Sequence, residues 1–325
     1  MFSLITLPLL GQEKSGALKI SAGESRIQPM LQAWAVNDTT LWPDGPTFNF
    51  RLRRAELKFS GSIIESTEWF VMLDPAKSIA SAGKINTDSK IVQDLGLVFR
   101  VSQRIEIRAG QFKTPTTAEG LLPSGQLPLP ERSIVGRTFG DRREPGVSVI
   151  IRGEAWKVST MVSNGKGPNT DDDSTSKDLN IRADLMPNSS VQFGAFTGLS
   201  DLSFYLKGVF GGNLVLHLGD WNLRWEGVFG RAPAKDGFGS MGEIGYFLTE
   251  RLEPVVRFEY LRPLDVEKSA DSYAETVGLN YFLEKHQVKI QAAATLMHNL
   301  SGGFGTPSTS DRSGTLLILA ATMGI

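Results

Sequence analysis

RIEIRAGQFKTP, residues 104–115, alternates between charged and apolar side chains over its first six positions. Ile105, Ile107 and Ala109 are apolar, whereas Arg104, Glu106 and Arg108 are charged. A spacing of two indicates a β-strand with one apolar face and one charged face. Soluble β-sandwiches and membrane barrels both show this pattern, so the stretch raises the question of which solvent its apolar face contacts.

The composition narrows the class of protein. Of the 325 residues 21% are charged, the formal net charge is -1, and the mean hydropathy is -0.11. No basic excess points to nucleic acid, so we expect no nucleic-acid partner. No run approaches the roughly 18 to 20 apolar residues of a transmembrane helix, whereas a membrane β-barrel is compatible with these values because alternation dilutes its apolar residues. The chain has no cysteine, which excludes disulfides and thiolate metal sites.

The alternation recurs along the whole chain, and we find no linker between domains. We predict one all-β unit, a barrel over residues 26–325. Strands of about ten residues, tilted about 45°, cover the roughly 25 Å apolar band of an outer membrane. The sixteen predicted strands are 26–36, 48–60, 67–74, 91–101, 104–112, 146–152, 155–163, 178–186, 190–197, 207–218, 221–229, 237–248, 251–261, 273–282, 287–297 and 314–325.

The connections between these strands alternate between long and short. Residues 102–103 and 219–220 form short connections, whereas 75–90 and 113–145 form long ones. A Greek-key sandwich gives no reason for this alternation. A transmembrane antiparallel up-and-down β-barrel does, because short periplasmic turns lie at one end and long outer loops at the other. An even number of strands places both termini at the end with the turns.

The predicted strand number answers the opening question. A barrel of sixteen strands is too wide for side chains to fill, so its lumen holds water. The charged face then lines the lumen and the apolar face contacts lipid. Lipid offers no hydrogen-bond partners to the backbone, so the sheet must close. Arg53 and Arg54 interrupt the alternation of their strand, which indicates a bulge or the rim of the barrel.

The N-terminal stretch MFSLITLPLL is apolar and is followed by polar residues. Residues 1–12 therefore resemble the apolar core and exit of a secretory signal peptide, truncated because the basic start is missing. The alternative is a short hydrophobic arm that packs on the body of the protein. Residues 13–25 form a lead-in to the first strand.

Eight segments resemble, in order, the outer-membrane family of phosphate-selective porins of the O and P type. They are FRLRRAELKFSG (50–61), GQFKTP (110–115), PERS (130–133), RREPGVSV (142–149), SNGKG (163–167), GYFLTE (245–250), EPVVRFEYL (253–261) and GLNYFLEKHQVKI (278–290). The resemblance implies a sixteen-stranded, trimeric porin in the outer membrane of a Gram-negative bacterium. It also implies passive diffusion of small hydrophilic or anionic solutes, phosphate among them, with no cofactor. The chain ends in Ile325, where outer-membrane proteins usually carry an aromatic residue.

Basic residues are the candidates for ion selectivity, because a pore selects by the field of the fixed charges at its narrowest point. By analogy with many porins, we expect residues 113–145 to fold into the lumen as a constriction. The candidate constriction residues are Lys113, Arg132, Arg137, Arg142 and Arg143, accompanied by the acids Glu119, Glu131, Asp141 and Glu144. The candidate lumen-lining residues are Lys58, Arg104, Arg108, Arg182, Arg224 and Arg257. The alternative for each residue is a solvated wall of cross-strand ion pairs, each worth at most about 1 kcal/mol.

Other functions have less support in the sequence. The three histidines show no metal-ligand spacing, so we expect no metal site. Gly237, Gly239 and Gly242 match a nucleotide-binding pattern but lie in a predicted strand with no following helix. We expect no enzymatic activity, since no nucleophile and base can be assembled at one rim. The remaining alternatives are a barrel enzyme, a structural or adhesive barrel with a plugged lumen, and a soluble β protein.

Overall fold

The computed structural model describes residues 19–20, 23–39, 48–79, 91–200, 207–231, 237–263, 271–300 and 312–324. The predicted signal peptide, 1–12, lies outside these ranges, as does most of the predicted lead-in, 13–25. Within the described residues, no helix has the length and apolar character needed to cross a membrane.

In the described ranges, seventeen β-strands make one sheet. They are β1 (Lys19–Ile20), β2 (Gly23–Asp38), β3 (Phe48–Ile64), β4 (Thr67–Leu73), β5 (Val92–Arg100), β6 (Ile105–Lys113), β7 (Arg143–Arg152), β8 (Trp156–Ser163), β9 (Asp178–Asn188), β10 (Val191–Ser200), β11 (Lys207–Leu218), β12 (Trp221–Arg231), β13 (Gly237–Tyr246), β14 (Leu252–Pro263), β15 (Ser272–Glu284), β16 (Val288–Leu300) and β17 (Arg312–Gly324). Two short α-helices, α1 (Ala118–Leu121) and α2 (Ile134–Phe139), lie between β6 and β7.

The sheet closes into a barrel of sixteen strands, β2 to β17. Each barrel strand pairs antiparallel with the next one in the chain, and β17 pairs back with β2, where Ala320 lies opposite Trp34. β1 forms a short pairing with the start of β2. Closure pairs both edges of every barrel strand, which is what a lipid environment requires. The predicted sixteen-stranded up-and-down barrel is confirmed.

The connections alternate in length as the sequence predicts. Residues 65–66, 189–190 and 219–220 are tight turns. Gly219 has a φ of 61°, a left-handed conformation that glycine adopts at little steric cost. The longest connection is 114–142, which we call the lumen loop; Lys113 ends β6 and Arg143 begins β7.

The two faces of the barrel differ in character. On β5, Leu97 and Phe99 are exposed on the outer face, where they pair with Ala109 and Ile107. The intervening Arg108 points to the lumen, opposite Ser148 of β7. The opening segment therefore turns its apolar face to the membrane and its charged face to the lumen.

A β-bulge in β3 explains the interrupted alternation at Arg53. Gln32 of β2 pairs with Arg54, but the next residue, Ala33, pairs with Leu52, so Arg53 is the extra residue. A bulge bends its strand and redirects a side chain. Here both arginines reach the lumen loop, which the sequence alone does not indicate.

Candidate functional site

The lumen loop begins both of its helices with hydroxyl caps. Thr117 accepts a 3.1 Å hydrogen bond from the Gly120 N–H, and Ser133 accepts a 2.8 Å bond from the Gly136 N–H. Such caps satisfy backbone donors that a helix start leaves unpaired. Thr117 and Ser133 are completely buried, so these caps fix short turns of helix inside the barrel.

Carboxylates of the barrel wall bind further backbone donors at these helix starts. Glu226 of β12 accepts hydrogen bonds from the N–H groups of Ala118 (2.5 Å) and Glu119 (3.3 Å). Glu259 of β14 accepts a short hydrogen bond from the Ile134 N–H. The loop is therefore held to the β12–β14 wall at two points along its length.

Wall donors in turn bind the carbonyls of the lumen loop. Each bond joins a residue on a different strand to the loop, and together they fix the loop across the lumen. The bonds run from Arg182 Nη1 to the Thr116 carbonyl (2.6 Å), Lys289 Nζ to Leu127 (2.7 Å), Asn280 Nδ2 to Pro128 (2.8 Å) and Arg257 Nη1 to Glu131 (3.0 Å).

An apolar cluster anchors the second helix. Val135 and Phe139 of α2 are fully buried among lumen-facing side chains of the wall. The wall residues of this cluster are Trp34, Val36, Phe196, Val228, Met241, Ala274, Met297, Leu316, Ile318 and Ala320. Buried apolar side chains exclude water. On this side of the barrel, protein therefore fills space that the alternation pattern assigns to the water-filled lumen.

Three arginines converge on one carboxylate of the loop. Arg53 Nη2 lies 2.8 Å and Arg54 Nη2 3.3 Å from the carboxylate of Glu131, and Arg137 makes a short ion pair with the same group. Burial alone would raise the pKa of Glu131, but Arg137, Arg53 and Arg54 outweigh it and hold this pKa well below its ordinary value. Glu131 is thus the residue that ties β3 to the loop.

A second carboxylate closes the base of the loop. Asp141 lies 3.1 Å from Lys113 Nζ, 3.7 Å from Arg132 Nη2 and 3.8 Å from Arg143 Nη1. Burial would raise the pKa of Asp141, but the three cations outweigh it and lower the pKa to about 2. Arg143 also binds Asp94 of β5 at 2.7 Å. Ion pairs therefore link the two ends of the loop.

The structure gives the five candidate constriction residues unequal positions. Lys113 donates to the carbonyls of Gly120 (2.5 Å) and Leu122 (3.0 Å), and Arg132 donates to the latter at 2.6 Å. With Arg137 and Arg143 also in ion pairs, four of the five contribute to holding the loop in place. The fifth, Arg142, has an exposed side chain.

The six candidate lumen-lining residues also differ in their position and exposure. Arg182 and Arg257 are buried beneath the lumen loop. Arg104 lies in the tight turn between β5 and β6, where the Ser102 hydroxyl accepts a hydrogen bond from its N–H. Arg224 lies at the 4.0 Å limit of an ion pair with Glu243. Lys58 and Arg108 keep contact with water, since Lys58 is exposed and Arg108 is partly exposed.

Sequence reasoning missed Arg152 as a candidate. It follows Ser148 and Ile150 on the lumen face of β7, and its Nη1 lies 3.2 Å from Glu106. The same Glu106 binds Arg108 Nε at 2.5 Å. The alternation that marks Arg108 also marks Arg152, so the signal was present in the sequence. The sequence did not indicate which carboxylate pairs with these cations.

Comparison with known proteins agrees with this architecture. The family described as phosphate-selective porin O and P matches residues 43–197, from just before β3 into β10 and including the lumen loop. The resemblance drawn from the sequence is therefore confirmed. No curated protein sequence matches the chain.

Solved outer-membrane barrels share the fold at low sequence identity. The outer membrane channel DcaP of Acinetobacter baumannii has a TM-score of 0.63 and 11% identity over 97% of this chain and 100% of its own. The anion-selective porin from Comamonas acidovorans has a TM-score of 0.61 and 9% identity over 93% and 100%. The trimer form of OmpT from Vibrio cholerae has a TM-score of 0.59 and 11% identity over 94% of this chain and 100% of its own.

The family match and the closed barrel together support one functional class. The family match over residues 43–197 and the closed barrel support passive diffusion of solutes through a porin of the Gram-negative outer membrane. The matching family and the structurally similar proteins named above are channels.

Proposed function

We propose that this porin passes small hydrophilic solutes with a preference for anions, and that the preference arises on the lumen wall formed by β6, β7 and β8. The lumen loop narrows the pore on the opposite side. In this proposal four paired cations in or next to the loop hold the constriction in shape: Lys113, Arg132, Arg137 and Arg143. Arg142, within the loop, is the cation accessible to solutes.

One observation carries the proposal: two lumen carboxylates near this wall are each contacted by two cations. Glu106 is shared by Arg108 and Arg152, and Asp184 by Lys157 and Arg182. Each of these groups has one positive charge in excess. Arg182 is buried under the lumen loop, so the cations exposed to the lumen are Arg108, Arg152 and Lys157. Fixed charge of one sign on a water-filled wall raises the local concentration of ions of the opposite sign. A lumen wall of this kind favours anions.

The group around Arg257 has the opposite balance but is shielded from solutes. Arg257 lies within 4.0 Å of three carboxylates, those of Glu119, Glu243 and Glu259. All four side chains are buried, Glu119 within the lumen loop and the other three on the wall beneath it. Their field acts on the loop rather than on the ions that pass along the β6–β8 wall.

The position of the solute path follows from where the loop is anchored. At its base the loop accepts hydrogen bonds from Lys113 of β6. Farther along, its hydrogen bonds run to β3, β9, β12, β14, β15 and β16, and its apolar helix packs on the same side. Arg108, Arg152 and Lys157 keep 37%, 39% and 34% of their side chains exposed. We infer that water and solutes pass next to these residues.

The oligomer is proposed to be a homotrimer in outer-membrane lipid. Support comes from the trimer form of the structurally similar Vibrio cholerae protein. Chemical cross-linking of the detergent-solubilised protein, read by mass, distinguishes a trimer from a monomer.

The test of anion preference is the reversal potential of single channels in a planar bilayer with a potassium chloride gradient. A potential of the sign for chloride supports the proposal, and a zero or cation-selective potential contradicts it. The apolar cluster under α2 favours one rival, a structural barrel with a plugged lumen. That rival predicts no conductance from folded, inserted protein.

A further inference from the structure

We propose that Glu226 and Glu259, which we call the anchoring carboxylates, make the position of the lumen loop sensitive to acid, so that the pore closes when they take up protons. This inference goes beyond the proposed function and rests on it in one respect, the location of the solute path along the β6–β8 wall. The anchoring carboxylates are on β12 and β14, and each residue is 1% exposed.

The anchoring carboxylates bind the first backbone donors of both helices in the loop. Glu226 accepts hydrogen bonds from the N–H groups of Ala118 and Glu119, the first two residues of α1, at 2.5 and 3.3 Å. Glu259 accepts a hydrogen bond from the N–H of Ile134, the first residue of α2. A hydrogen bond to an ionised carboxylate is roughly twice as strong as one between neutral groups. A proton on either carboxyl removes this advantage.

Glu119 connects the two helix starts. Its carboxylate accepts hydrogen bonds from the N–H of Ser133, at 3.0 Å, and from the Ser133 hydroxyl. The N–H of Glu119 binds Glu226, and Ser133 directly precedes Ile134, which binds Glu259. The contacts thus run without a break from β12 through both helices to β14. Release of one helix start therefore weakens the attachment of the other.

Negative charge exceeds positive charge where these contacts meet. Arg257 is shared by three carboxylates, at 2.6 Å from Glu259, 3.5 Å from Glu119 and 3.8 Å from Glu243. In the described part of the chain, Glu226 contacts the two backbone N–H groups and makes no ion pair. Buried carboxylates that share one cation repel one another, and a proton on one of them relieves this repulsion.

The other acids of the loop have the opposite balance. Glu131 and Asp141 each lie next to three cations, which hold the pKa of Glu131 well below its ordinary value and lower that of Asp141 to about 2. Both therefore stay ionised in weak acid, unlike a carboxylate that shares its cation with others. The remaining charged groups around the anchoring carboxylates are Arg182 of β9, paired with Asp184, Arg224 of β12, 4.0 Å from Glu243, and Glu253 of β14, bound by Asn222 and Asn280.

The direction of the effect follows from the contacts that acid leaves intact. Asp141 joins the base of the loop to Lys113 of β6 and Arg143 of β7 at 3.1 and 3.8 Å. A loop released from β12 and β14 is thus still held at β6 and β7, next to the proposed solute path. Its free part then moves away from the wall that held it and into this path. Acid should close the pore rather than widen it.

The experiment records single channels in a planar bilayer at about pH 7.5 and about pH 5, where exposed Asp and Glu side chains stay largely ionised. The measured quantity is the ratio of closed to open time at one fixed voltage. The variants are Glu226→Gln and Glu259→Gln, which keep the size of the side chain and lack its charge.

Two control variants exclude other titrating groups. Glu68→Gln removes a lumen carboxylate whose pair with Arg100 is exposed. His286→Gln removes a histidine, which titrates in the same pH range, from the turn between β15 and β16. The other histidines, His217 and His298, contact Asn222 and Glu275 rather than the loop.

We expect the closed-to-open ratio of the wild type to rise about three- to tenfold at the lower pH for each carboxyl protonated, as for the change from a charged to a neutral hydrogen bond. Glu226→Gln should show a raised ratio already at the higher pH and a smaller response to acid, whereas both controls should respond as the wild type does. Amide exchange of the wild type gives a second reading that needs no variant. After correction for the intrinsic rate, residues 117–121 and 133–137 should lose protection at the lower pH relative to the barrel strands.

Four results would overturn the proposal: a wild-type ratio that does not change with pH, unchanged protection of both helix starts, a full response in both glutamine variants, or a response that disappears in His286→Gln. A larger conductance in acid would also overturn it, because the loop would then leave the solute path. The reversal potential at the higher pH tests the proposed function separately. A channel without anion preference contradicts that function and leaves the acid response to be judged on its own.

Discussion

Lys289 and Leu127 lie 162 residues apart and are joined by a 2.7 Å hydrogen bond from Lys289 Nζ to the Leu127 carbonyl. Lys289 is on β16 and almost completely buried. In a barrel wall this lysine would be expected to face water. Here its ammonium instead satisfies the backbone of the lumen loop, together with Gln291, which donates to the Pro128 carbonyl at 3.1 Å. A wall cation can thus serve to position the loop.

Substitution of Lys289 should loosen the tip of the lumen loop. Lys289→Met removes the charged donor and leaves the Leu127 carbonyl with only a longer hydrogen bond, 3.4 Å from Gln291 Nε2. Loss of a hydrogen bond from a charged group costs about 1.5–3 kcal/mol. We expect faster hydrogen–deuterium exchange in residues 122–131 and larger current fluctuations in single channels. Lys58→Met is the control, since Lys58 is exposed on the lumen face of β3. Equal exchange in both variants and the wild type would contradict a positioning role.

Substitution of Glu131 should be among the most damaging changes to the loop. Glu131→Gln leaves Arg53, Arg54 and Arg137 without their shared carboxylate. Breaking a buried ion pair by removing one partner costs roughly 3–5 kcal/mol. The measurement is the free energy of unfolding in detergent or lipid vesicles. Glu68→Gln should change it by at most about 1 kcal/mol, because its pair with Arg100 is exposed. A Glu131 variant as stable as the Glu68 variant would show that the loop is held without this cluster.

The contribution of Asp141 should depend on pH in a defined window. Its pKa is about 2 in the folded protein and about 3.9 in an unfolded chain. A carboxyl whose pKa is lowered by folding stabilises the folded state above the unfolded pKa and loses this effect as pH falls through the folded pKa. The stability difference between wild type and Asp141→Asn should therefore be constant above about pH 5 and shrink between about pH 4 and pH 2. Unfolding midpoints of both proteins across this range provide the check, and a difference that vanishes near pH 6 would contradict the assignment.

A charge on the outer face should oppose membrane insertion. Leu97 lies on the outer face near the middle of β5, between Trp69 of β4 and Ala109 of β6. Leu97→Arg should destabilise the protein folded in lipid by about 2–4 kcal/mol if this face meets the middle of the bilayer. Gln28→Arg, on the exposed lumen face opposite Lys58, should cost below about 1 kcal/mol. Folding into vesicles of stated lipid composition, followed by urea titration, measures both, and equal costs would argue against a lipid-facing Leu97.

Much of the barrel could be predicted because its signal is local. Ile107 and Arg108 point to opposite sides of the wall for the same reason that neighbouring residues of any strand do. The lengths of successive connections then set which end carries the turns. The pattern was less informative at Ala33 to Val36, where every residue is apolar. There Trp34 and Val36 face the lumen and pack on α2. The local spacing does not indicate that this part of the lumen face is covered by protein.

The roles of individual charges could not be predicted in the same way. Alternation places Arg182 and Arg257 on the lumen face, where the structure also has them. It carries no information about the loop that covers them, because their contacts with Thr116 and Glu131 span 66 and 126 residues. The partners of the basic residues in the loop could not be predicted from the alternation either. Nothing in the sequence distinguishes Arg132 from Arg143. Only the folded structure determines which carboxylate each of them contacts.

The sequence by itself determined the strand number, the two faces of the wall and the end that carries the turns, because period-two alternation and connection length are read from neighbouring residues. Only the tertiary structure decided which cations meet the solute. Arg108, Arg152 and Lys157 stay in contact with water, whereas Arg182, Arg257 and Lys289 are buried under a loop that contacts several strands of the wall. The physical reason is that a charge is neutralised by whatever lies within a few ångströms of it, and in a closed barrel those neighbours come from distant parts of the chain.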